Sequence, residues 1–231
     1  MTAAEAASVI GWWIEAGVDV AIQEQPRAWL GASVGTPAVE PHAIVTPEAG
    51  NEIPASFDTF RAWLGETLSL PLATANSRRA LPRGIEAAQV MLLADMPTPE
   101  DVAEGAPLAG EAWDLTERML AAIGFNAEQA YVASLSCFHS PGTRLSGTDL
   151  DACAAIARRH VALAKPKRLL LLGDATSRAL LGKPLTAARG HVHKVEGVRT
   201  VASFHPRFLL DRPSNKALAW RDLLLLMEDE V

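Results

Sequence analysis

Cysteine is scarce: Cys137 and Cys153 are the only two in 231 residues. Two thiols cannot build a disulfide framework, and they suit a reducing cytosol. Nor can they alone supply a four-cysteine zinc or iron–sulfur site. Long apolar runs are missing too. No uninterrupted stretch approaches the ~20 residues that cross a bilayer, so a soluble, cytoplasmic chain with no membrane partner is expected. The opening MTAAEAASVIGWWIEAG holds glutamates but no lysine or arginine, which argues against an export signal. The glycine-containing turn at Gly173 lacks the Gly-Lys-Ser/Thr ending of a P-loop, so nucleotide hydrolysis has little support. His191 and His193 read as surface histidines, and neither a metal nor a cofactor is expected.

What is present is unevenly charged. The total is −6, but residues 1–150 carry 7 Lys/Arg against 19 Asp/Glu, whereas residues 151–231 carry 14 against 8. A basic face can steer a polyanion despite an acidic total, so DNA stays open as a partner beside the plainer reading of ordinary surface charge.

Along the chain, four short apolar runs read as buried strands: Val90–Ala94, Ala130–Leu135, Leu169–Leu172 and Val201–Phe204. The first ends in Asp95, and Pro97 and Pro99 then force a loop. Helical spacing follows a Ser56 N-cap through Phe57, Phe60, Leu64 and Leu68, and recurs over 112–123, from about 149 to 164, over 175–181 and over 214–227. Gly190–Gly197 reads as a hairpin-like turn. Residues 4–30 read as helical, and 36–54, rich in Pro, Gly and Ala, as an irregular stretch. The expected organisation is an N-terminal helix and extension over 1–55, followed by one domain over 56–231. Strands alternating with helices predict a three-layer α/β/α fold around a four-stranded, mostly parallel sheet. Ligands of such sheets gather at the C-terminal strand ends, so function is sought in the loops after these four strands. Ser77–Arg83, with three arginines, reads either as a phosphate-facing loop or as a solvated one.

Several segments then fall in one order. Ala94-Asp95-Met96-Pro97-Thr98 leads to Gly105-Ala106-Pro107-Leu108-Ala109-Gly110; Tyr131-Val132-Ala133-Ser134 leads to Pro141-Gly142-Thr143-Arg144. Leu171 through Gly182 forms a third block, and His205-Pro206-Arg207-Phe208-Leu209-Leu210 closes the series. Together, over roughly residues 86–226, they resemble the uracil-DNA glycosylase superfamily, particularly the bacterial and archaeal branch that carries a four-cysteine iron–sulfur cluster. The resemblance implies that fold, a DNA partner, and hydrolytic removal of uracil or a related damaged base. It implies a monofunctional N-glycosylase acting in base-excision repair, here expected as a monomer. The alternative is a catalytically weakened homologue that binds nucleic acid or regulates.

By the same resemblance, Asp95 matches the acidic residue that positions water or stabilises the sugar cation, one methylene shorter than the usual glutamate. A loop or helix-capping role stays open beside it. His205 matches the histidine that stabilises the leaving base, or else it packs at a strand end. Met96, Pro97, Leu108 and Ser134 fall at the base pocket, where leucine replaces an aromatic wall and serine replaces the uracil-reading asparagine. Arg144, Arg189, Lys194 and Arg207 are expected to contact phosphates. Leu209 is expected to fill the space of the flipped nucleotide or simply to pack. The upstream Cys-x-x-Cys of the branch would fall near residues 67–70, where this chain has no cysteine, so no cluster is expected.

Overall fold

A computed structural model describes residues 53–74, 77–139 and 147–228. The expected N-terminal helix, most of the irregular stretch before Pro54, and the Pro-Gly turn with Arg144 lie outside the described residues.

Five strands form one sheet: β1 (Val90–Ala94), β2 (Ala130–Ser134), β3 (Arg168–Leu172), β4 (Val192–Val195) and β5 (Val198–Ser203), in the order β2-β1-β3-β5-β4. The first four in that order run parallel, and β4 pairs antiparallel with β5. The expected mostly parallel sheet is therefore right in kind but one strand short. The missing strand lies in the 190–197 stretch. Glu196 and Gly197 both take positive φ, 50° and 80°, which turns the chain tightly enough for Val195 to pair with Val198. Val192 and Lys194 are exposed on this edge strand, so it lacked the apolar run by which the inner strands are recognised.

Side chains alternate across the sheet, and each face acquires its own core. Met91, Leu93, Tyr131, Leu169 and Leu171 face one way, under α1 (Phe57–Glu66), α4 (Gly147–Ala164) and α5 (Asp174–Leu181). Val90, Leu92, Val132, Leu170 and Leu172 face the other, under α3 (Glu111–Ala122) and α8 (Lys216–Met227). This is the three-layer α/β/α architecture expected. Helix α1 starts where Ser56 accepts the Thr59 N–H, and Phe57, Phe60 and Leu64 are its buried stripe.

The loop after β1 holds a short helix, α2 (Pro99–Glu104), because Pro99 occupies its first turn, where a missing N–H costs no bond. Two further short helices, α6 (Leu185–Ala188) and α7 (Pro206–Asp211), follow β3 and β5. Registers pair Ala94 with Ser134 and Leu172, and Leu172 with Ser203, so four parallel strands end level. The chain leaves β1 toward β2 and leaves β3 toward β5. The crevice between β1 and β3 is therefore the point where the winding reverses, the place such sheets offer to ligands.

Candidate active site

Asp95 follows β1 and enters that crevice. Its Oδ1 accepts the Thr176 N–H at 2.9 Å, in the first turn of α5 after β3, 81 residues away in sequence. Gly173, at φ +115°, makes room for it: a Cβ there would collide with the Asp95 carboxylate. Burial pushes the Asp95 carboxyl up to about 6, against the pull of the Thr176 and Ala175 backbone hydrogen bonds. The carboxylate thus caps a helix and still titrates near neutrality; the two roles weighed for it from the sequence are not exclusive.

His205 leaves the end of β5 on the same sheet edge. It is the N-cap of α7, and its Nδ1 accepts the Arg207 N–H at 3.2 Å. Burial, helped by the Arg207 cation, lowers its imidazole to about 4. The ring is therefore neutral at physiological pH. With Nδ1 occupied as an acceptor, its proton sits on Nε2, which becomes a donor.

Ser134 ends β2 beside Ala94, and its hydroxyl donates to the Ser136 carbonyl at 2.6 Å. What remains on Ser134 Oγ is acceptor capacity, without the paired donor and acceptor of an amide. Met96 is partly buried, and Pro97 is buried with its carbonyl accepting from His139 Nδ1 at 2.8 Å. Leu108, at 1% exposure, belongs to the core between the sheet and α3. It therefore offers no open face to a base in this conformation.

Two of the arginines expected at phosphates have partners within the protein. Arg189 donates to Asp222 at 2.8 Å and stacks 3.9 Å over Phe204, with only 15% of its side chain exposed. Phe204 stacks in turn on Phe208, with ring centroids 5.0 Å apart. Arg207 pairs with Asp101 at 2.9 Å and keeps a quarter of its side chain exposed. Both arginines are engaged by buried carboxylates rather than presented to solvent. Leu209, expected either to fill the space of the flipped nucleotide or to pack, is 1% exposed and lines a ~190 Å³ apolar groove between α3 and α8. Lys194 is exposed on β4. Arg79 and Arg83, from the loop read as possibly phosphate-facing, turn inward to backbone carbonyls and to the rings of Phe138 and Trp113; Arg78 is exposed.

Sequence reasoning missed Asp101, Thr176 and Asp222. Asp101 was legible in part, since Thr98-Pro99-Glu100-Asp101 has the spacing of a capping box, and the structure forms one. Nothing local marks the other two; their partners arrive through the sheet.

The residues do not fit an iron–sulfur cluster. Cys137 and Cys153 line a cavity of about 20 Å³ together with Leu70, Pro71, Ile156 and Ala157. Room for about one water cannot hold a four-iron core. Burial pushes the two thiols up to about 12 and about 11, away from the thiolate form that binds iron. His160 also faces this cavity, hydrogen-bonded to Tyr131 Oη at 2.7 Å and lowered to about 3 by burial. Among the described residues, no group of three or more His, Cys, Asp or Glu side chains converges as a metal site. No described helix is long and apolar enough to cross a membrane.

Known proteins resemble this chain over its sheet and the helices around it. A type-4 uracil-DNA glycosylase of Archaeoglobus fulgidus is 24% identical over 141 residues, covering 56% of this chain and 71% of the relative. Another, from Pyrobaculum aerophilum, is 21% identical over 147 residues, covering 59% and 75%. Residues 82–224, which run from the loop before β1 into α8, match the family model described as the uracil DNA glycosylase superfamily. Spanning well over half the sequence and every strand of the sheet, that match makes this chain a member of the uracil-DNA glycosylase superfamily.

Proposed function

We propose that this protein is a DNA glycosylase that hydrolyses the N-glycosidic bond of uracil or a related damaged base. One observation carries the reading: Asp95 and His205 leave parallel strands at one sheet edge with complementary protonation tendencies. Near neutral pH the Asp95 carboxyl is largely ionised, while His205 is a neutral Nε2–H donor.

Chemistry on a base requires the nucleotide to leave the stack. As the bond from the base nitrogen to C1′ breaks, its electron pair goes to the base and positive charge grows on the sugar. The Nε2–H of His205 donates to the base oxygen on which the negative charge develops, and a fixed donor is most effective there. The Asp95 carboxylate stabilises the cationic sugar and orients a water whose oxygen bonds to C1′. The water's proton passes to Asp95 and on to solvent, and the departing base anion takes one proton from solvent, leaving free base and a hydroxyl on C1′. In this scheme Met96 and Pro97 shape the pocket floor, Ser134 supplies one acceptor, and Lys194 and Arg144 supply cations for phosphates. The partner is DNA, engaged by the monomer in the cytoplasm.

A second reading has its own support: a binding or regulatory homologue with a weakened pocket. Ser134 has its hydroxyl proton committed to Ser136, and Leu108 has no open face. Base release from single- and double-stranded oligonucleotides carrying uracil, hypoxanthine or xanthine decides between them. The glycosylase reading expects free base from wild type and loss in His205→Ala. DNA affinity with no base released from any strand overturns it in favour of the second.

A further inference from the structure

Asp101 has no role in the chemistry above, yet it is 2% exposed and takes four donors. Its Oδ2 accepts the Thr98 N–H at 2.7 Å and the Thr98 hydroxyl at 2.9 Å. Its Oδ1 accepts the Ala109 N–H at 2.6 Å and Arg207 Nη2 at 2.9 Å. The first three bonds stay within the loop between β1 and α3. The fourth leaves it and reaches α7, 106 residues further along the chain.

Arg207 is anchored there from several sides. The same Nη2 lies 3.4 Å from the Ala109 carbonyl and 3.6 Å from Glu100. At the other end of the residue, the Arg207 backbone N–H is the donor that occupies His205 Nδ1. One residue thus connects a buried carboxylate to the imidazole. A guanidinium fixed this way restrains its own main chain, and with it the direction of that N–H.

We propose that Asp101 and Arg207 are a positioning pair: the anchored guanidinium sets the first turn of α7 so that His205 keeps Nδ1 as acceptor and presents Nε2–H at the sheet edge. The consequence for turnover rests on the glycosylase reading; the posture of the imidazole does not. Two charges act on the ring with opposite sign. The Arg207 cation, on the same helix, disfavours imidazolium; the Asp101 carboxylate, on α2, favours it. Glu100, also on α2, lies beyond Arg207. Removing the cation therefore raises the His205 titration and neutralising the carboxylate lowers it. Loosened packing alone has no reason to produce shifts of opposite sign.

The test uses the full chain with ¹⁵N-labelled histidine, His205 being assigned among the 6 histidines by its loss in His205→Gln. Long-range ¹H–¹⁵N correlation from pH 3 to 8 reads both tautomer and titration midpoint. Wild type is expected as the Nε2–H tautomer at neutral pH. Arg207→Met should give mixed tautomers and a midpoint raised by about one unit, Arg207→Lys a smaller change, and Asp101→Asn a lowered midpoint. On a uracil oligonucleotide, Arg207→Met should lower kcat about tenfold with KM within about twofold, and Arg207→Lys should recover part of the loss. An unchanged tautomer and midpoint in Arg207→Met, or shifts of the same sign in both variants, overturns the pair. If Arg207→Met does not fold, Arg207→Gln, which also removes the cation, gives the same readout. Should the spectra follow expectation while no protein, wild type included, releases base, the pair stands and the glycosylase reading falls.

Discussion

Asp95 and His205 leave one edge of one sheet with a single strand between them, but their seats are built differently. The Asp95 seat is made by the strand next door: Gly173 clears the space and Thr176 donates a backbone N–H, both within four residues of the end of β3. Parallel pairing in register suffices to assemble it. The His205 seat is made by side chains, through Arg207 and Asp101, and depends on a loop more than a hundred residues away. One corner is a property of the sheet; the other is a latch laid across its end. The carboxylate should therefore tolerate loss of surrounding side chains better than the histidine, whose seat runs through the pairing of Arg207 with a buried carboxylate.

The comparison is broken most directly at the latch. Asp101→Ala leaves the Ala109 N–H and the Arg207 guanidinium without their shared acceptor and should lower unfolding free energy by about 3 kcal/mol. Urea unfolding at pH 7 measures this; a loss below about 1 kcal/mol would mean water replaces the carboxylate and no latch exists.

Next comes Asp95→Asn, which keeps an oxygen for Thr176 but removes the charge. Base release should fall about 10²- to 10³-fold, while stability moves the other way. A carboxyl raised toward 6 binds its proton more tightly in the folded chain. Folding therefore weakens as pH rises from 3.8 through about 6, and the penalty persists above it. At pH 8 the asparagine variant should be about 1–2 kcal/mol more stable than wild type, the figure being reduced for solvent screening, and at pH 4 nearly equal. Wild-type turnover should fall as pH drops through about 6, an acid limb that the asparagine variant lacks. Thermal melts at the two pH values and a rate profile check both halves.

Gly173→Ala attacks the sheet-built corner. The added methyl meets the Asp95 carboxylate on a backbone at φ +115°, so a loss of about 1–3 kcal/mol is expected, along with displacement of Asp95. Calorimetry gives the first and the shape of the rate profile the second. Equal stability would show that the crevice is looser than its geometry.

The smallest effect concerns the histidine's proton. A His205 lowered to about 4 contributes its stability above 6.5, and that contribution is lost as pH falls through the window toward 4. His205→Gln should flatten unfolding free energy against pH there by up to about 1.4 kcal/mol per unit. His160, lowered to about 3, keeps the rest of the acid slope in both proteins. An unaltered slope would mean that His205 is protonated within the folded chain.

Inner strands were legible because they are short apolar runs: Val90–Ala94 stands in the structure with the bounds read from the sequence. The edge strand was not, since Val192 and Lys194 face solvent and carry no burial signal. Arg189 and Arg207 read as surface cations because nothing near them in sequence is a buried carboxylate. Asp222 lies 33 residues from Arg189, and Asp101 lies 106 from Arg207. Leu209 likewise had two readings, and only the filling of the space between α3 and α8 chose packing.

By itself the sequence determined the alternation of strand and helix, the order of the strand-end motifs and hence the family. Those depend on periodicity, turn residues and spacing, all of which are local. Tertiary structure alone decided which charges are neutral, which arginines are committed, and that two thiols face a cavity too small for a cluster. Burial and partnership arise from residues far apart in the chain, and the free energy of a charge is set by what surrounds it rather than by its neighbours in sequence.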